Sequence, residues 1–107
     1  TKKQHDNLMS QTSHISHLMS YLFMQSLPQS IINNNLSLLL GGGIKEHVRL
    51  SKSDPKMWTD IFVNNRSNLI KSINRIEKNI TNLKKMISES DVNKIKRLLS
   101  KIQIKTK

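Results

Sequence analysis

The chain has 107 residues, with 18 Lys and Arg against 7 Asp and Glu, giving a formal net charge of +11. That length is one small domain, or part of a larger protein, and an apolar content of 36% supports one modest core that association would reinforce. The absence of Cys excludes disulfides, thiolate metal sites, iron–sulfur clusters and a Cys nucleophile.

Taken in chain order, the first predicted helix runs from about Lys3 to Leu27. Leu8, Met9, Ile15, Leu18, Met19 and Leu22 form a broad stripe on it, and Pro28 ends or kinks it. Residues 29–40 carry Ile31, Ile32, Leu36, Leu38, Leu39 and Leu40 and predict a second helix, interrupted in character by Asn33, Asn34 and Asn35. Gly41, Gly42 and Gly43 end it and permit backbone angles and close approaches that side chains forbid. A short polar segment follows, from Ile44 to Leu50. Ser53 or Asp54 then caps a helix with Pro55 at its first position. That helix is expected to run long, from about 55 to 88. Leu69, Ile73, Ile76, Ile80, Leu83 and Ile87 alternate steps of four and three along it, a coiled-coil-like seam. Ser90 and Asp91 cap a last helix marked by Val92, Ile95, Leu98, Leu99 and Ile102. No segment alternates as a strand does. The expected class is all-α, one helical domain over 1–107 whose long seam needs a partner helix from this chain or a second copy.

The charge is uneven. Residues 1–70 hold 7 basic and 4 acidic groups, while residues 71–107 hold 11 basic and 3 acidic groups. A basic half is a possible nucleic-acid footprint. Here the Lys residues alternate with Ile and Leu at helical spacing, and no aromatic residue is interleaved for base stacking. The chain lacks Ala altogether and Lys outnumbers Arg 14 to 4, as a coding bias toward Ile, Asn and Lys would produce. A solvated helix face is therefore the expectation, and nucleic acid the alternative. No apolar run approaches the roughly 20 residues of a membrane span, and Thr1–Asp6 has no signal-peptide character. A cytoplasmic protein is expected. The chain does not start at Met and reads as part of something longer.

Few residues can carry chemistry. His14 and His17 are three apart and share a helix face, but two ligands are too few for a metal. Asp6 lies eight residues from His14, roughly 12 Å along a helix, so no Ser–His–Asp triad forms there. The glycine run matches neither phosphate-binding spacing and has no flanking strand. Arg49 follows the glycine turn and could clamp a carboxylate through two parallel hydrogen bonds, or simply pair with Glu46 one turn before it. Trp58, the one Trp, suits core packing with a polar handle.

Three stretches together resemble a known family. His5-Asp6, then six residues, then Ser13-His14-Ile15-Ser16-His17 resembles the H-D-x6-S-H-L-P-H signature of prephenate dehydrogenases. Gly41 to Leu50 resembles the family's G-G-G-F-[KR]-[DE]-x-T-R-I stretch, and Ser53 to Ile61 its S-[DS]-[PA]-x-M-W-x-D-I stretch. Order and spacing agree over about residues 4–100. The sequence departs from the pattern at Ser16, where Pro is usual, at Ile44 for Phe, and at Val48 for Thr.

The resemblance implies a C-terminal helical domain that forms an intertwined homodimer and completes the substrate pocket. The enzyme's N-terminal Rossmann domain, absent from this chain, would bind NAD or NADP and carry the catalytic histidine. The implied reaction is oxidative decarboxylation of prephenate to 4-hydroxyphenylpyruvate, or of arogenate in relatives, in tyrosine biosynthesis. Hydride leaves the ring carbon bearing the hydroxyl, the hydroxyl loses its proton, and CO2 departs as the ring becomes aromatic. By resemblance Arg49 would hold a substrate carboxylate, His17 would line or gate the pocket, and Glu46 would join a polar network near Arg49. Trp58 would support the wall, and Ser13 and His14 would line the cleft between cofactor and substrate. This chain alone would then bind no cofactor and no metal and be inactive.

Overall fold

A computed structural model describes residues 1–106, and among these every regular element is an α-helix. The chain separates into two compact units, one from Thr1 to Ser72 and one from Ile73 onward.

In the first unit, α1 spans Lys2–Gln11 and α2 spans Ser13–Ser26. A capping box starts α1: the Thr1 hydroxyl accepts from the Gln4 backbone N–H while the Gln4 side chain accepts from the Thr1 amine. The single helix expected over Lys3–Leu27 is thus divided. Thr12 leaves helical geometry at φ −126° and ψ −88°, and its hydroxyl donates back to the Leu8 carbonyl. Side chains that bond to nearby backbone compete with the helix in this way. The end at Leu27 and Pro28 falls where the proline placed it.

The segment expected as one helix over 29–40 is also divided, into α3, Gln29–Asn34, and α4, Leu36–Gly41. Asn35 sits between them, its side-chain amide donating to the Ile31 carbonyl. The short helix α5, Lys45–Ser51, packs on α2 and α4. Only Gly42 among the three glycines needs to be one for steric reasons. A Cβ there would lie 2.7 Å from the Leu38 carbonyl oxygen, whereas nothing stands within 4 Å of one at Gly41 or Gly43.

Asp54 caps α6, Pro55–Asn64, accepting from the Lys56 N–H with Pro55 in the first turn, as its sequence indicates. The long helix expected over 55–88 stops there. Asn65, at φ −114° and ψ 29°, separates α6 from α7, Arg66–Ser88. The backbone bonds Asn65 N–H to Ile61 O and Leu69 N–H to Asn65 O persist across the break, so the two helices meet at a kink. The buried apolar residues are Ile15, Leu39, Trp58 and Leu69, all in this first unit. Ser10 and Ser20 are fully enclosed, where small side chains allow close approach between α1 and α2 and between α2 and α5.

The second unit holds most of α7 and the last helix, α8, Val92–Lys105. Among the described non-glycine residues Ser90 carries the one positive φ, 52°. The Asp91 N–H donates to Met86 O and the Ser90 N–H to Ile87 O, which is a Schellman closure of α7. Asp91 also begins α8, its carboxylate accepting from the Lys94 N–H. Among described residues from Ile73 onward, none is buried.

Candidate functional site

The corner at Thr12 starts α2 with Ser13, His14 and His17 in its first turns. The His17 ring stacks on Trp58 of α6, with centroids 3.6 Å apart and planes 16° from parallel. His14 meets the same indole edge-on at 6.0 Å. Phe62, one turn beyond Trp58, leans on the indole at 5.7 Å and receives Tyr21 edge-on at 6.4 Å. The Tyr21 hydroxyl donates to the Ser53 carbonyl just before α6, which pins α2 to the start of that helix. The result is an aromatic wall of His17, Trp58, Phe62 and Tyr21.

A pocket of about 210 Å³ opens against this wall, lined by Tyr21, Pro55, Trp58, Thr59 and Phe62. Pockets that bury small molecules run from about 300 to 1,000 Å³. This one can seat part of a ligand, not enclose it.

Polar contacts fix the two histidines. The His17 Nδ1 lies 3.1 Å from the Ser13 carbonyl, so Ser13 takes part through its backbone. The His14 Nδ1 lies 3.2 Å from the side-chain nitrogen of Asn65, which also donates to the Asp6 carbonyl at 2.7 Å. Asn65 is buried, and its oxygen accepts from Asn68. The kink between α6 and α7 thus reaches across to α1 and α2. Burial is the main cause holding the His14 pKa below the ordinary imidazole value. Asp6 opposes it, and His17 and His5 reinforce it.

Arg49 and Glu46 stand apart from these rings, on α5. They form an ion pair with Nη2 to Oε2 at 2.7 Å, each side chain about two-thirds exposed at 65% and 66%. The hydrogen bond from Arg49 lowers the Glu46 pKa and raises that of Arg49. Of the two sequence readings of Arg49, the pair with Glu46 is made, through Nε and Nη2 of the guanidinium.

Periodicity did not single out Asn65, Tyr21, Phe62 or Ser20 for the site. Ser20 and His47 lie 27 positions apart in the sequence. Yet α5 docks on α2, so His47 Nδ1 and the Ser20 hydroxyl share a hydrogen bond at 2.9 Å, and Phe23 stacks on the imidazole at 4.8 Å. A buried serine opposite a histidine had no local signal to reveal it. Among the described residues no group of three or more His, Asp or Glu gathers as a metal site. No described helix is long and apolar enough to cross a membrane.

A family model for "Prephenate dehydrogenase, dimerization domain" matches residues 1–101. Among solved structures, the chain is similar to prephenate dehydrogenase from A. aeolicus, crystallised with hydroxyphenyl propionate and NAD+. The two share 30% identity and superpose with a TM-score of 0.79, over 98% of this chain and 37% of that one. The chain therefore spans little more than a third of the length of that enzyme. These matches give the nucleic-acid alternative no support.

Proposed function

The chain belongs to the family of prephenate dehydrogenase dimerization domains, and from that membership we propose that it is the helical, substrate-binding and dimerising part of an NAD- or NADP-dependent prephenate dehydrogenase. The observation that carries the reading is the aromatic wall beside an incomplete pocket, in which His17, Pro55, Trp58 and Thr59 come from the stretches that resemble the family's motifs and Tyr21 and Phe62 complete the wall.

In this reading Trp58 and Phe62 present flat apolar surface to a six-membered ring and exclude water from one side of it. His17, stacked on Trp58, borders the ring-binding space, and Ser13 and His14 border the cleft. Arg49, with Glu46 orienting its guanidinium, takes a substrate carboxylate through two parallel N–H donors. Binding both the ring and a carboxylate would hold the substrate in one orientation for hydride loss.

A dinucleotide does not fit the residues of this chain. The glycine run joins α4 to α5, without the strand-to-helix turn that cradles a pyrophosphate. The hydride acceptor would be held by a Rossmann domain outside this chain, and the isolated chain would be inactive. Prephenate is the proposed substrate, arogenate its close variant, and the enzyme a cytoplasmic one of tyrosine biosynthesis.

The test is an assay of the full-length polypeptide for prephenate-dependent reduction of NAD and NADP, beside the isolated chain. Turnover by the long form alone supports the proposal. A full-length protein that binds neither prephenate nor hydroxyphenyl propionate would end it.

A further inference from the structure

We infer that His14 and His17 are held in opposite tautomers, His14 with its proton on Nε2 and His17 with its proton on Nδ1, and that Asn65 is the positioning residue that sets the first. The argument is one of donors and acceptors. The Asp6 backbone carbonyl can only accept, so the Asn65 atom 2.7 Å from it is the amide nitrogen. That same nitrogen lies 3.2 Å from His14 Nδ1, which must then offer its lone pair. Asn65 cannot turn around without setting its oxygen against the Asp6 carbonyl. A neutral imidazole that accepts at Nδ1 carries its proton on Nε2.

One turn later the logic reverses. The Ser13 carbonyl, 3.1 Å from His17 Nδ1, also can only accept, so Nδ1 of His17 carries a proton. When neutral, His17 has its lone pair on Nε2. Two imidazoles on adjacent turns, both against Trp58, thus offer a bound molecule different groups: a donor from His14 and an acceptor from His17. A ligand bearing both an acceptor oxygen and a hydroxyl would satisfy both. That use of the pair rests on the enzymatic reading above, whereas the tautomers do not.

Protonating His14 would set an N–H against the Asn65 amide, so the contact favours the neutral ring. Burial acts in the same direction. The groups that face His14 are Asp6 and His5 from α1, His17 on its own helix, and Trp58 and Asn65 from the α6–α7 arm. Of the titratable groups among these only Asp6 favours the cation.

The test is two-bond proton–nitrogen NMR on the chain labelled with 15N-histidine, at pH about 8, above the ordinary imidazole value. His14 should show a pyridine-type Nδ1 and His17 a pyridine-type Nε2. In Asn65→Ala, His14 should titrate at higher pH than in the parent. The same tautomer in both rings, or the averaged signals of a free imidazole, would overturn the inference. So would an unmoved His14 titration in folded Asn65→Ala. If that variant does not fold, the parent spectrum alone decides. None of these readouts uses catalysis, so an enzyme that failed on prephenate would leave them standing, and wrong tautomers would leave the enzymatic proposal intact.

Discussion

His14 links a local contact to the stability of the whole first unit. Its folded pKa is lowered chiefly by burial, so the folded state binds its proton less readily than the unfolded chain does. The stability it contributes is therefore complete above the ordinary value of 6.5 and is lost as pH falls through the lowered folded value. Urea midpoints measured downward from neutral pH should decline across that window, and His14→Gln should flatten the decline; an equal slope in both would remove His14 as the cause. Arg49 works the other way, with little at stake in folding because it is exposed. In the full-length enzyme, Arg49→Ala should raise KM on the order of tenfold to a hundredfold, the worth of a charged hydrogen bond. The melting temperature should stay within a few degrees of the parent. Lys there should recover only part, lacking the guanidinium fork. An unchanged KM would leave Arg49 only its pair with Glu46. At this scale the sequence spoke through resemblance more than through spacing. His17 and Trp58 are 41 positions apart, and only the corner at Thr12 and the docking of α6 bring them to 3.6 Å. No periodic signal encodes such a meeting.

The helices show which physics is local enough to be read in advance. Asp54 with Pro55, Asp91 before α8, and Pro28 after α2 act through their immediate neighbours, and each falls where the residue type requires. The divisions at Thr12, Asn35 and Asn65 escaped because polar side chains make them, by bonding to backbone across a turn or, for Asn65, across to another helix. Two substitutions test the local accounts. Ser90 holds a left-handed angle that L side chains adopt at a cost, so Ser90→Gly should stabilise by about 0.5–1 kcal/mol, a rise in Tm of about 2–6 °C. Gly42 has an ordinary φ of −96°, so its demand is for space. Gly42→Ala should destabilise by about 1–3 kcal/mol through the contact with Leu38 O, while Gly41→Ala and Gly43→Ala, with open space around them, should be close to neutral. Equal effects at all three positions would show that the run serves flexibility instead of close approach.

The whole molecule leaves its second unit without a core of its own. The stepping of Ile73, Ile76, Ile80, Leu83 and Ile87 foretold a seam on α7, yet Ile80 and Ile87 remain 53% and 59% exposed, and on α8 Val92, Leu99 and Ile102 are 71%, 54% and 48% exposed. A stripe of this kind, in a member of a dimerization-domain family, calls for a second copy of the chain to cover it. Light scattering should therefore give the mass of a dimer. Ile80→Asp offers the sharper test because of that exposure. In one chain by itself a half-exposed position tolerates a carboxylate, so local folding should survive, as helical circular dichroism would show. In a dimer the same carboxylate would be buried against the partner's apolar side chains without a counter-charge, a cost of several kcal/mol. The expected product is a helical monomer. Lys78→Asp changes charge by more but lies on the opposite side of α7 from the seam, where the 3–4 pattern places solvent, and it should remain a dimer. Dimers from both variants would mean that the stripe is not the contact, and a monomeric parent would mean that the exposed isoleucines of α7 serve some other surface.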